Sequence, residues 1–220
     1  MIATNSAHAG RRVLVRALAG ASLAATLPLG HGQAQTLRSA TPRQTEGPYY
    51  PVDWAGDSDA DLVIVHGEAA RALGQVVHLR GQVLTADLQP IAGARVEIWQ
   101  CDANGVYRHP RDERDGRRHD AGFQGRGRDT TAADGRYGFR TIRPVAYPGR
   151  TPHVHFRIDL PDRQRLTTQM YVAGEPLNAR DPLLASIRDL RQRESLIVRL
   201  DPADRLESGA QLGIFDIVIA

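Results

Sequence analysis

The sequence predicts an all-β fold, a mainly antiparallel β-sandwich with long loops and one short helix. From residue 62 the 220-residue chain breaks into short runs rich in Val, Ile, Thr and aromatic side chains, several alternating apolar with polar. The runs are bounded by turn chemistry such as "ADLQPIAG", "DANG" and "AADG". A single stretch carries helical periodicity, which argues against a parallel sheet layered with helices.

Taken in order, residues 1–35 read as an export leader. Arg11 and Arg12 precede the small and apolar run "VLVRALAGASLAATLPLG", and "GQAQT" then offers small residues for cleavage. Arg16 interrupts the apolar run and leaves it short of the roughly 20 residues that a membrane span needs, so no span is expected once the leader is removed. The paired arginines before "VLVR" resemble a twin-arginine signal, which carries folded proteins, so the expected location is the periplasm or the cell exterior. Residues 36–61, with "TPRQTEGPYYPVDWAGDSD", are punctuated by Pro and Gly and are expected to drape as an extended arm.

Residues 62–220 are read as the sandwich domain. Its expected strands are "LVIVH" (62–66), "QVVHLRGQVLT" (75–85), "ARVEIWQ" (94–100), "RYGFRTI" (136–142), "HVHFRIDL" (153–160), "LTTQMYV" (166–172), "SLIVRL" (195–200) and "FDIVIA" (215–220). The polar, glycine-rich segment 109–131 has no usable periodicity and is read as one long loop. The helix is expected at 181–193, capped by Asp181, with Pro182 at its first position and residues 183, 184, 187 and 190 on one face.

All 28 basic residues are arginine, and three of them lie in the first 35 residues, which contain no acid. The remaining 25 arginines balance 25 acidic residues, so the body is near neutral and gives no electrostatic argument for nucleic acid or an anionic membrane. Cys101 is the only cysteine, which rules out an intrachain disulfide, and it reads as a small core hydrophobe.

In a strand alternate side chains share a face, so His153 and His155 point the same way and Val154 points to the other. Two imidazoles so placed can reach one ion, although H-x-H alone is weak evidence and more often marks the polar face of a half-exposed strand. Iron, copper, zinc and nickel all accept imidazole, so the histidines do not name the metal. The other donors in view are phenols: Tyr147, six residues before His153, and Tyr107, just beyond "ARVEIWQ". Phenolate is a hard anionic donor that suits Fe(III), but either tyrosine by itself could be a half-buried ring with its hydroxyl in water.

Five stretches carry a resemblance: "TPRQTEGPYYP", "GARVEIWQCDANGVYRHP", "DGRYGFRTIRP", "YPGRTPHVHFRI" and "LTTQMYVAGEP". In order and spacing, over residues 41–186, they resemble the intradiol ring-cleavage dioxygenases, the family of protocatechuate 3,4-dioxygenase and catechol 1,2-dioxygenase. The resemblance implies a mononuclear non-haem Fe(III) held by Tyr107, Tyr147, His153 and His155, with Tyr107 the equatorial phenolate and Tyr147 the axial one released when substrate binds. It further implies Arg150 over the substrate ring, Gln169 as the active-site glutamine, and the long loops as active-site loops. The partners implied are a catechol and O₂, and the product a cis,cis-muconate.

Only five residues separate Tyr147 from His153, a compact form similar to the secreted single-domain members and shorter than in the protocatechuate enzymes. The helical amino-terminal domain of the catechol and hydroxyquinol enzymes has no counterpart here, so their dimer is not implied and homo-oligomerisation stays open. Two other readings compete. The stretch from "LRGQVLTADLQPIAGARVEIW" to "DGRYGFRT" also resembles transthyretin-like binding modules, which would leave the two tyrosines and two histidines unexplained. A hydrolytic zinc or copper site could use the same histidines, but phenolates suit those ions less.

Overall fold

The computed structural model describes residues 39–113 and 116–220. The leader read at 1–35 lies outside them. The strands are β1 (Val76–Thr85), β2 (Arg95–Trp99), β3 (Arg126–Thr130), β4 (Arg136–Ile142), β5 (His153–Asp159), β6 (Arg165–Val172), β7 (Ile197–Val198), β8 (Leu200–Pro202), β9 (Gln211–Ile214) and β10 (Ile217–Ile219). A 3₁₀ helix (Pro176–Arg180) and two short α-helices, α1 (Pro182–Ala185) and α2 (Leu190–Ser195), follow β6. No helix among the described residues is long and apolar enough to cross a membrane.

The strands form two five-stranded sheets. In one, β1 pairs antiparallel with β4 and parallel with β9 and β10, and β8 joins β9. The other runs β3-β2-β5-β6-β7. Five of the eight strand pairings are antiparallel, and they include the longest ladders. The all-β sandwich expected from the sequence is the fold observed.

Alternation along β5 divides the work of the second sheet. Val154, Phe156 and Ile158 turn to the core and are fully buried. Phe156 meets Tyr137 of β4 edge-on at 6.0 Å and Phe215 at 5.0 Å, joining the two sheets. The other face of β5 carries His153, His155 and Arg157. Register then sets their neighbours: His155 lies opposite Trp99 of β2 and Gln169 of β6, and His153 opposite Tyr171.

Residues 39–60 contain no helix or strand. The backbone of Thr41 bonds Val218 in one sheet, and that of Gln44 bonds Thr167 in the other. The segment then crosses the histidine face, where the Tyr50 ring meets Trp99 edge-on and the Tyr50 hydroxyl donates to Glu97 at 2.8 Å.

Four local expectations need correction. "LVIVH" forms no strand: Leu62 and Val63 are fully buried in a turn, and Leu62 is satisfied by bonds to Arg140 and Gln124 from two different segments. A short apolar run without alternation serves a buried turn as well as a strand. The predicted helix is broken, because Asp189 takes an extended conformation and caps a second helix through the amides of Arg191 and Gln192. "SLIVRL" supplies two short strands, β7 and β8, instead of one. The predicted loop hides β3, whose arginine- and glycine-rich sequence has little strand propensity. Gly127 permits it, since a Cβ there would lie 2.4 Å from the carbonyl oxygen of Asp59.

Candidate metal centre

β5 delivers two imidazoles to one point. His153 Nδ1 donates to the Thr151 carbonyl at 2.6 Å, which leaves its Nε2 without a proton. That Nε2 lies 3.2 Å from His155 Nε2 and 3.4 Å from the Tyr107 hydroxyl oxygen. Donors bonded at about 2.0–2.2 Å to one ion sit roughly 3 Å apart at right angles, so these separations fit a shared ion. The His155 ring stacks on Trp99 at 4.8 Å and 8°, and its Nδ1 is buried without a partner.

The phenols arrive from two loops. Tyr107 follows a turn in which the Asp102 carboxylate accepts from the amides of Asn104 and Val106, and its own amide bonds Asp112. Its ring is 2 % exposed, stacks on Tyr49 at 4.6 Å and packs with Trp99 and Cys101. Tyr147 opens the tight turn before β5, where it bridges to Arg150, and is half-buried. Its ring stands 5.6 Å from that of Tyr107 and 5.4 Å from that of His153.

Arg150 is held at every end of its fork. Nε donates to the Asp181 carboxylate at 2.8 Å and Nη2 to Gln169 Oε1 at 2.6 Å, while Nη1 faces the Tyr147 oxygen at 3.5 Å and His153 Nε2 at 3.4 Å. Gln169 is fully buried: the Tyr171 hydroxyl donates to its Oε1, and its Nε2 donates to the Thr45 carbonyl.

Burial sets the protonation states. It pushes the Tyr107 phenol well above its ordinary pKa, reinforced by neighbouring Tyr147. It raises Tyr147 as well, against the opposing pull of Arg150. Burial and then the charge of Arg150 lower His153 to about 4, and burial followed by His153 and Arg150 depresses His155. Near neutral pH the site therefore presents two neutral imidazoles and two protonated phenols. A cation held among these donors would favour loss of the phenolic protons.

All six residues singled out from the sequence, Tyr107, Tyr147, Arg150, His153, His155 and Gln169, thus meet at this end of the second sheet. No cluster of three or more His, Cys, Asp or Glu suited to a metal occurs among the described residues, so the phenols are essential to the case. The sequence reading missed Tyr171, Trp99 and the second role of Asp181. Tyr171 was detectable, because it lies two residues after Gln169 on the same strand face. Trp99 depended on cross-strand register, and the contact of Asp181 with Arg150 spans 31 residues.

A protein family described as dioxygenase matches residues 45–220. The chain is 38% identical over 187 residues to the protocatechuate 3,4-dioxygenase beta chain of Burkholderia cepacia, covering 80% of this chain and 78% of that one. It is 30% identical to catechol 1,2-dioxygenase 1 of Acinetobacter lwoffii, covering 83% of this chain but only 59% of that relative. Among solved structures, the dioxygenase domain of a dioxygenase and carbohydrate-binding protein fusion from Streptomyces sp. SirexAA-E superimposes with a TM-score of 0.63 at 32% identity. That match covers 82% of this chain and 98% of the solved domain.

Proposed function

The chain belongs to the intradiol ring-cleavage dioxygenase family, and from that premise we propose that it opens a catechol ring between the two hydroxylated carbons. Both atoms of O₂ enter the product, a cis,cis-muconate-type diacid. The observation that carries this reading is the meeting of His153 Nε2 with His155 Nε2 and the Tyr107 oxygen, with Tyr147 and Arg150 beside them.

Tyr107, Tyr147, His153 and His155 would hold one non-haem ferric ion, since two hard phenolate oxygens and two neutral imidazoles suit it. Ferric iron bound there would supply a Lewis acid and template that favours the anionic forms of phenols and catechol.

The chain's own residues divide the remaining tasks according to burial. Tyr107 is walled in by Tyr49, Trp99 and Cys101 and serves as a fixed ligand. Tyr147 borders a cavity open to solvent, so its ring has room to turn outward, and with its own proton already lost to solvent when the ion is bound, its oxygen could take one from an arriving catechol hydroxyl. Arg150 keeps a fixed cation beside that oxygen and stabilises negative charge developing on the substrate ring. The amide of Gln169 is already engaged by Arg150, Tyr171 and Thr45, so it orients Arg150. Trp99 and the segment around Tyr49 and Tyr50 exclude water from the imidazoles.

Loading the purified protein with ferric iron tests the reading. A visible tyrosinate-to-iron charge-transfer band should appear and shift on anaerobic addition of catechol. Tyr107→Phe should bleach much of that band. Colourless protein after loading would overturn the ligand set. From the composition of residues 1–35 alone we also propose export, which amino-terminal sequencing of the protein from a periplasmic fraction would check; an intact leader on cytoplasmic protein would refute it.

A further inference from the structure

Two rows of side chains lie next to each other on the histidine face of the second sheet. In the first, Trp99 of β2 stands opposite His155 of β5, and its ring lies against the imidazole at 4.8 Å and 8°. In the second, two residues along, Glu97 stands opposite Arg157. These charged side chains are only 4% and 12% exposed, and none of the tasks assigned above uses either of them.

Tyr50 joins the two rows. Its hydroxyl donates to Glu97 Oε2 at 2.8 Å and accepts from Arg157 Nη1 at 2.7 Å, bridging a pair whose direct approach is 3.9 Å. The Arg157 guanidinium also lies over the Tyr50 ring, 5.1 Å from its centroid. So clamped, the ring stands edge-on to Trp99 at 5.0 Å and 90°.

The two imidazoles are oriented by different means. A metal-bound histidine is ordinarily held by a hydrogen bond at its other ring nitrogen, and His153 has one, to the Thr151 carbonyl at 2.6 Å. His155 Nδ1 is buried without a partner among the described residues, and so is the indole Nε1 of Trp99. Packing must therefore set the planes of both rings, and the one hydroxyl anchoring that stack belongs to Tyr50.

We propose that Tyr50 is a positioning residue for the metal centre: held between Glu97 and Arg157, it fixes the Trp99 ring and, through it, the plane of His155. The assignment rests on the four-ligand reading of that centre.

The test measures ferric-ion affinity by chelator competition, the electron paramagnetic resonance spectrum of the ferric protein and the urea midpoint. Tyr50→Phe keeps the ring and removes the hydroxyl; affinity should fall about tenfold, as is usual on losing an outer partner of a metal-bound imidazole, and the ferric signal should change shape. Glu97→Leu should do the same, whereas Glu97→Gln, whose amide oxygen still accepts from Tyr50, should recover most of the affinity. Arg140→Gln controls for stability alone. It breaks ion pairs to Asp61 and Glu207 at 3.0 and 2.7 Å in the first sheet, and should lower the urea midpoint without moving iron affinity or spectrum. Unchanged affinity and spectrum in Tyr50→Phe would overturn the proposal, as would equal loss of iron in Arg140→Gln. Imidazole resonances of the metal-free protein, assigned with His155→Gln, separate the two readings. If they shift in Tyr50→Phe while wild type takes up no ferric iron, Tyr50 orients His155 and the ligand set fails. Iron uptake with no dependence on Tyr50 would do the reverse.

Discussion

Replacing Asp181 by Asn removes one charge and one acceptor from the most buried ion pair of the site. In the native chain Oδ2 accepts from Arg150 Nε at 2.8 Å and from the Thr151 amide at 3.1 Å, while Oδ1 accepts from the amides of Leu183 and Leu184 at 3.0 Å each. Asparagine has a single oxygen. If that oxygen keeps capping α1, its amide nitrogen faces the two donors of Arg150 and Thr151. Each donor left without an acceptor costs about 1–3 kcal/mol, and removing one member of a buried pair costs about 3–5 kcal/mol in all. The higher figure applies, because the side chains of Asp181 and Arg150 are only 0% and 12% exposed. A domain with roughly 5–15 kcal/mol of stability should remain folded, with a clearly lower urea midpoint. Arg150 would then be held mainly by Gln169, and kcat should fall about 10²- to 10³-fold, the usual effect of losing one aligned donor. The charge-transfer band of the ferric protein should persist, since Asp181 is not among the four residues assigned to the metal. Urea titration, the visible spectrum and oxygen uptake with catechol measure these three effects separately. Turnover within twofold of wild type at undiminished stability would refute the claim that Asp181 positions Arg150.

Two further outcomes follow from the same geometry. Tyr147→Phe keeps the ring but removes the oxygen placed to take a substrate proton, so kcat/KM should drop about 100-fold while some ferric iron stays bound; single-turnover kinetics with unchanged rates would exclude Tyr147 from the reaction. The metal-free protein should lose stability as pH falls from about 6.5, the ordinary histidine value, toward 4, because the unfolded chain binds protons there that buried His153 and His155 do not. Burial works to raise the pKa of Asp181, but its bonds from Arg150 and the Leu184 and Thr151 amides hold it low, so its contribution is lost only further down the scale. Urea midpoints at pH 7.5, 6 and 5 check this, and a flat profile over that range would contradict it.

Sequence periodicity alone placed His153 and His155 on one face, because alternation along a strand is a local property of the backbone. Turn residues and β-branched runs likewise marked β1, β2, β4, β5 and β6 before any contact was known, since each run is long enough to show its pattern. β3 and the break between α1 and α2 were hidden for the opposite reason. β3 borrows its order from pairing with β2, and the break follows from a cap at Asp189 that overrides apolar spacing. The wider constellation lay beyond local patterns. Tyr107 stands 46 residues from His153 and comes within 3.4 Å of it only because β2 pairs with β5 and the loop after β2 folds back over that face. Asp181 is legible in the sequence as a helix cap, and only the tertiary structure turns its second oxygen toward Arg150. The sequence thus determined which side chains share a face within each strand. The packing of loops over the second sheet decided which faces meet, because bringing distant segments together depends on the burial of the whole core, a property no single stretch contains.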